Sequence, residues 1–152
     1  IPVAALASHL GEELACSDWV TIDQQRIDAF AEATGDRQWI HLDAERAKRE
    51  SPFAATVAHG YLTLSLIPAL LGSCLQIDGV AMAVNYGLDR VRFPAPVPSG
   101  SRLRARVSLE ALDTIERGVQ AHWQVTIERE GGERPVCIAR TLARYLQAAD
   151  AH

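Results

Sequence analysis

The chain is short of cysteine. It has three in 152 residues, at positions 16, 74 and 137, and no CxxC pair. Their odd number and wide spacing exclude a disulfide framework and leave no zinc-ligand pattern, so the expectation is a reduced, cytoplasmic setting with buried structural thiols. No glycine-rich phosphate loop is present either. Positive charge is also scarce: 15 Lys and Arg stand against 19 Asp and Glu, a net charge of -4 that argues against a nucleic-acid partner. The longest apolar run, from Tyr61 to Leu75, is interrupted by Thr63, Ser65, Pro68, Gly72 and Ser73 and is too short to span a bilayer. Internal repeats, low-complexity tracts and domain linkers are absent. The chain begins at Ile1 rather than Met, and no signal segment is visible.

What is present suits a folded domain with a sizeable core. Apolar residues make up 48% and charged residues 22%, a globular balance. Residues 1–152 read as one domain, with 1–18 as an N-terminal extension. The pattern is mainly helical up to about residue 76 and stranded beyond about residue 80. That block order predicts an α+β fold. Thr21 and Gln24 have capping-box spacing ahead of an apolar stripe at Ile27, Phe30, Ala31 and Ala33 or Thr34, and Gly35 stops that helix. A second helix runs from Asp43, as N-cap, to about Arg49, and the Ser-Pro-Phe at 51–53 breaks it. Residues 59–75, apolar on nearly all sides, predict one buried helix kinked or bounded at Pro68.

The second half alternates with period two. Leu103, Ala105, Val107 and Leu109 point one way, and Arg102, Arg104 and Arg106 the other; Val119, Ala121, Trp123, Val125 and Ile127 repeat the pattern. Residues 80–93 predict a long strand bulged near Gly87, Gly131-Gly132 a turn, and 135–146 a last strand. The packing that buries both the sheet face and the apolar helix wraps the sheet around the helix.

The stretch ATGDRQWIH, residues 33–41, places Asp36 and His41 five residues apart beyond a helix end. A carboxylate beside a neutral imidazole orients a water and exchanges a proton with it near neutral pH. In the other reading Asp36 caps local backbone amides and His41 is a half-buried loop residue. Spacing alone leaves both open. His59 and Gly60 stand where the apolar helix begins, and the free N–H groups there suit an oxyanion. A metal set of Asp36, His41, Asp43 and His59 matches no usual ligand spacing. Ser65 reads as a hydroxyl bonded to the preceding turn or as a pocket-lining group. His122 and the Arg102, Arg104 and Arg106 row read as a solvated sheet face. His9 and His152, near the ends, carry no signal.

Two segments, FAEATGDRQWIHLDAERAKRESPFAATVAHGYLTLSLIPALL at 30–71 and NYGLDRVRFPAPVPSGSRLRARV at 85–107, resemble the MaoC-like dehydratases, the (R)-specific enoyl-CoA hydratases. The resemblance runs from about residue 19 to 146. It implies a hotdog fold, a curved antiparallel sheet wrapped around a long central α-helix. It places the family's catalytic pair on Asp36 and His41, its backbone oxyanion donor on Gly60 and a supporting helix serine on Ser65. Many relatives read Gly-Asp-x-Asn-Pro-x-His, whereas this chain has Gln38 and Trp39 at the Asn and Pro positions. That form is similar to the nodulation-protein-N-like subgroup, from which Asn85 follows as an extra polar contact. Gln38, Trp39 and His59 are expected to support the site or touch substrate. The implied activity is reversible hydration of a trans-2-enoyl thioester, carried by CoA or acyl carrier protein, to the (R)-3-hydroxyacyl thioester. It needs no metal, flavin or nicotinamide. The implied assembly is a homodimer. The alternatives are a non-catalytic acyl-thioester-binding module and a thioesterase on the same fold.

Overall fold

The computed structural model describes residues 1–148, so His152 lies outside them. The alternating second half forms the body of a six-stranded antiparallel sheet. Its strands are β1 (Glu13–Cys16), β2 (Val20–Ile22), β3 (Met82–Arg92), β4 (Ser101–Ile115), β5 (Gly118–Arg129) and β6 (Cys137–Leu146). They are ordered β1-β4-β5-β6-β3, and β2 also pairs with β4. Leu103, Ala105, Val107, Leu109, Ala121, Trp123, Val125 and Ile127 are fully buried on the inner face, with Leu109 opposite Trp123 and Val107 opposite Val125. Strict period-two placement makes this wall, because one face of each strand meets the core.

The outer face is paired as well as wet. Arg104 and Arg106 both donate to Glu128, Arg106 also reaches Glu13 at 2.7 Å, and Arg102 bonds Glu130 at 3.0 Å. Burial pushes the Glu128 carboxyl up, but the two guanidinium bonds outweigh it and the group sits below its usual range. His122 is mostly buried and bonded to Asp113 at 2.6 Å, so it is not simply solvated.

Five helices, α1 (Gln24–Thr34), α2 (Trp39–Leu42), α3 (Ala44–Glu50), α4 (Gly60–Ser65) and α5 (Ile67–Cys74), precede the long strands. Asp23, not Thr21, caps α1: its carboxylate accepts the Arg26 N–H at 2.8 Å, while Thr21 pairs with Arg102 in the sheet. Gly35 ends α1 in the left-handed region, at φ 80°, with its N–H on the Ala31 carbonyl. Asp43 caps α3 as expected. The long central helix is instead two short ones, broken at Leu66. Pro68, in the first turn of α5, has no N–H to give the Leu64 carbonyl and crowds it; a first turn tolerates both. Nor are these helices buried all round. Leu62, Thr63, Ile67 and Leu70 are buried, whereas Tyr61 is 71% exposed.

Residues 1–18 contribute more than an extension. Val3 and Leu6, in a 3-10 turn spanning Val3–His9, join the core, and β1 lies along β4. The thiols are all free, but only Cys137 is buried; Cys16 is exposed and Cys74 half-buried. Burial pushes the Cys137 thiol up to about 11. No helix of the described residues is long and apolar enough to cross a membrane.

Candidate active site

The site begins with a strip of extended backbone, residues 56–59. Along one edge it is tied to the turn before β4: Ala58 N–H donates to the Val97 carbonyl at 2.8 Å, and Ser99 N–H to the Thr56 carbonyl at 2.9 Å. Its other edge receives residues 36–41. Val57 N–H donates to the Ile40 carbonyl at 3.0 Å, His41 Nδ1 to the Val57 carbonyl at 2.6 Å, and His59 Nε2 to the Asp36 carbonyl at 2.9 Å.

Those bonds assign the protons. A carbonyl only accepts, so each ring carries its hydrogen on the nitrogen facing one. In the neutral rings, His41 Nε2 and His59 Nδ1 are then bare acceptors. The two imidazoles stack, with centroids 3.7 Å apart and planes 23° apart, and Phe30 leans on His59 at 5.0 Å. His41 is 7% exposed and His59 2%. The Asp36 carboxylate stays exposed, yet one donor atom from each of Asp36, His41 and His59 falls within 4.8 Å of the others. Asp36 Oδ1 also receives the Gln38 N–H at 3.4 Å, long for a hydrogen bond. Local capping is therefore present but weak, and it leaves the carboxylate open to another donor.

The remaining residues singled out in the sequence divide. Gly60, the first residue of α4, stands beside this corner. A Cβ there would come within 2.9 Å of the exposed Phe93 ring and push it aside, and the Gly60 N–H has no partner among the described residues. Gln38 contributes backbone, and its side chain is exposed. Trp39 is half-buried with the Arg46 guanidinium 4.2 Å over its ring, so α3 takes one of its faces. Ser65 and Asn85 lie elsewhere: both line an apolar groove of about 770 Å³ between α4–α5 and β3–β6. Ser65 Oγ also donates to the Tyr61 carbonyl at 2.6 Å. The groove includes Trp123, whose N–H donates to the Tyr145 hydroxyl at 3.1 Å. Burial raises the Tyr145 phenol, and the Trp123 bond offsets part of that.

As metal ligands Asp36, His41 and His59 would offer one donor atom each, the other nitrogen of each ring being held by a carbonyl as it is in many metal-bound histidines. Asp43, the fourth member of the metal set weighed above, caps α3 instead.

A model of the MaoC-like domain matches residues 5–130. The chain belongs to the MaoC-like family. It is 50% identical over 145 residues to the 3-hydroxyacyl-thioester dehydratase Z of Mycobacterium tuberculosis, covering 95% of each chain. It is 46% identical to nodulation protein N of Rhizobium leguminosarum, over 91% of this chain and 88% of that one. Among solved structures it is similar to the unliganded R-hydratase PhaJ1 of Pseudomonas aeruginosa, at a TM-score of 0.74 and 21% identity, over 93% of this chain and 85% of that one. The last likeness speaks for the fold, an antiparallel α+β arrangement shared with the hydratases.

Two residues of this MaoC-like corner escaped the sequence reading. Gln24 Nε2 donates to the His41 carbonyl at 2.7 Å and to Asp28 at 2.9 Å, while Gln24 Oε1 accepts the Thr56 hydroxyl at 2.6 Å. No local pattern signals this. Apart from Asp28, four residues on, its partners stand 17 and 32 residues away, and the spacing of Gln24 from Thr21 suggested capping instead.

Proposed function

We propose that the chain is a hydro-lyase that adds water reversibly, with syn geometry, to a trans-2-enoyl thioester and yields the (R)-3-hydroxyacyl thioester. The observation that carries this reading is the His41 imidazole. Its Nδ1 is committed to the Val57 carbonyl, its Nε2 lone pair is free, and the Asp36 carboxylate stands beside it. A water held between them loses a proton to Nε2 as its oxygen bonds Cβ. The C=C electron pair moves through Cα onto the thioester oxygen, and the Gly60 N–H at the start of α4 receives the developing charge. The imidazolium, paired with Asp36, then returns a proton to Cα on the same face. The thioester bond stays intact, and atoms balance as enoyl thioester plus water. The dehydratase named at 50% identity supports the same reaction class.

The carrier is taken to be CoA or acyl carrier protein, and the acyl tail is taken to run along α4 into the groove with Ser65 and Asn85 beside it. The homodimer reading rests on β3. It is a sheet edge with Met82, Tyr86 and Leu88 exposed, which is the kind of edge a second copy covers. The three unpaired thiols support a cytoplasmic setting. The test of the reaction is the product. Incubation with a trans-2-enoyl-CoA in water should give a 3-hydroxyacyl-CoA oxidised by an R-specific and not by an S-specific dehydrogenase. Release of free CoA thiol without that product would replace this reading with a thioesterase.

A further inference from the structure

We propose that Gln24 is a positioning residue of this site, holding the backbone of His41 so that the imidazole keeps its place beside Asp36. For its kinetic readout the proposal rests on the hydro-lyase reading above. The helical turn α2 is too short to satisfy its own carbonyls, so the His41 carbonyl needs a donor from outside. Gln24 Nε2 supplies it at 2.7 Å, from the first residue of α1. The carboxamide has no freedom to turn over. Both Nε2 hydrogens are used, on the His41 carbonyl and on Asp28, and Oε1 accepts the Thr56 hydroxyl. A flipped amide would set its oxygen against a carbonyl and a carboxylate.

The consequence is a clamp with two jaws. Thr56 and Val57 are neighbours on the strip. Val57 fixes the ring of His41 through Nδ1, and Thr56, acting through Gln24, fixes its main chain. Ring and backbone are thus referred to the same two residues, and the place of the imidazole beside Asp36 is set by both. Gln24 itself bonds neither Asp36 nor a ring nitrogen. Its effect on turnover passes through His41.

Gln24→Glu, Gln24→Met and Thr56→Val test this by steady-state kinetics on enoyl-CoA, thermal melts and heteronuclear NMR of the imidazole nitrogens. Glutamate keeps an acceptor for Thr56 but sets a carboxylate against the His41 carbonyl. It suits a first helical turn but also faces the Asp28 carboxylate one turn on, so the uncharged Gln24→Met controls for any weakening of α1. The expected result is a fall in kcat of roughly 10- to 100-fold in both Gln24 variants, with KM changed by less than about threefold. The His41 Nδ1–H signal should broaden or move in each. Thr56→Val, which leaves α1 untouched, should lower kcat less, and combined with Gln24→Met it should add nothing. Folded Gln24 variants with wild-type kcat and an unchanged His41 signal would overturn the proposal, as would a KM effect alone. Should either Gln24 variant fail to fold, an unchanged kcat and His41 signal in Thr56→Val would overturn it too. If the wild-type protein turns over no enoyl thioester, the hydro-lyase reading fails, and the imidazole spectra alone decide whether Gln24 holds His41.

Discussion

The β4–β5 wall and the Asp36–His41 corner are built by opposite means. In the wall, side chains do the work: eight apolar residues interlock inside and arginine–glutamate bonds close the outside. In the corner, the imidazoles of His41 and His59 reach for main-chain carbonyls, and a strip of backbone holds both. The first scheme gives stability spread over many contacts. The second gives orientation through a few bonds whose geometry is tight and whose energy is small. Damage to the wall should therefore appear as lost stability, and damage to the corner as lost turnover.

The largest effect that would sharpen this contrast is His41→Ala. Loss of an acid–base partner typically costs about 10²- to 10⁴-fold in rate, so kcat should fall by that order while the protein stays folded. A variant that unfolds instead would make the corner part of the wall. Trp123→Ala is the converse case. Trp123 is fully buried and its N–H is bonded to Tyr145, so removing it should cost about 3–5 kcal/mol in denaturant unfolding. A loss under about 1 kcal/mol would mean that the core is looser than its packing implies.

Two smaller effects lie on the sheet, one at its β3 edge and one on its outer face. Replacing Leu88, 46% exposed on β3, with lysine should shift the protein from dimer to monomer in light scattering. If the wild-type protein is already monomeric at micromolar concentration, the edge-pairing account goes. Glu128→Gln should destabilise by about 0.5–1 kcal/mol near neutral pH, as expected for a partly exposed ion-pair network. Its sign with pH is fixed. The folded-state carboxyl lies below its usual range, so the stabilisation is present above the unfolded pKa and is lost as pH falls through the folded one. The gap between variant and wild type should close in acid, and a gap that widened there would contradict the pairing.

The sequence made the wall readable because a strand's period is local: Leu103 to Leu109 and Ala121 to Ile127 announce which face is inside. Gly35 and Asp43 were readable for the same reason, each acting on its neighbours in the chain. The break at Leu66 was half visible in Pro68, but hydrophobicity on every side masked how much of α4 and α5 lies open. The corner was legible only in part. Asp36 and His41 stand out by type and spacing, His59 and Gly60 by their place where the apolar run begins, and the family resemblance gives Asp36, His41 and Gly60 their roles. What holds them does not show, because Gln24, Thr56 and Val57 act across 16 to 32 residues through bonds that any amide, hydroxyl or carbonyl can make. Residue type carries no trace of such a bond.

The measurement that bears most directly on the central claim is the loss of enoyl-thioester absorbance with crotonyl-CoA and with longer trans-2-enoyl-CoA substrates, run on wild type and Asp36→Asn side by side. Turnover by the wild type that falls by about 10²-fold or more in Asp36→Asn, with an unchanged melting temperature, is the predicted result. Equal rates in the two proteins, or no turnover at any chain length on CoA or acyl carrier protein, would contradict the account.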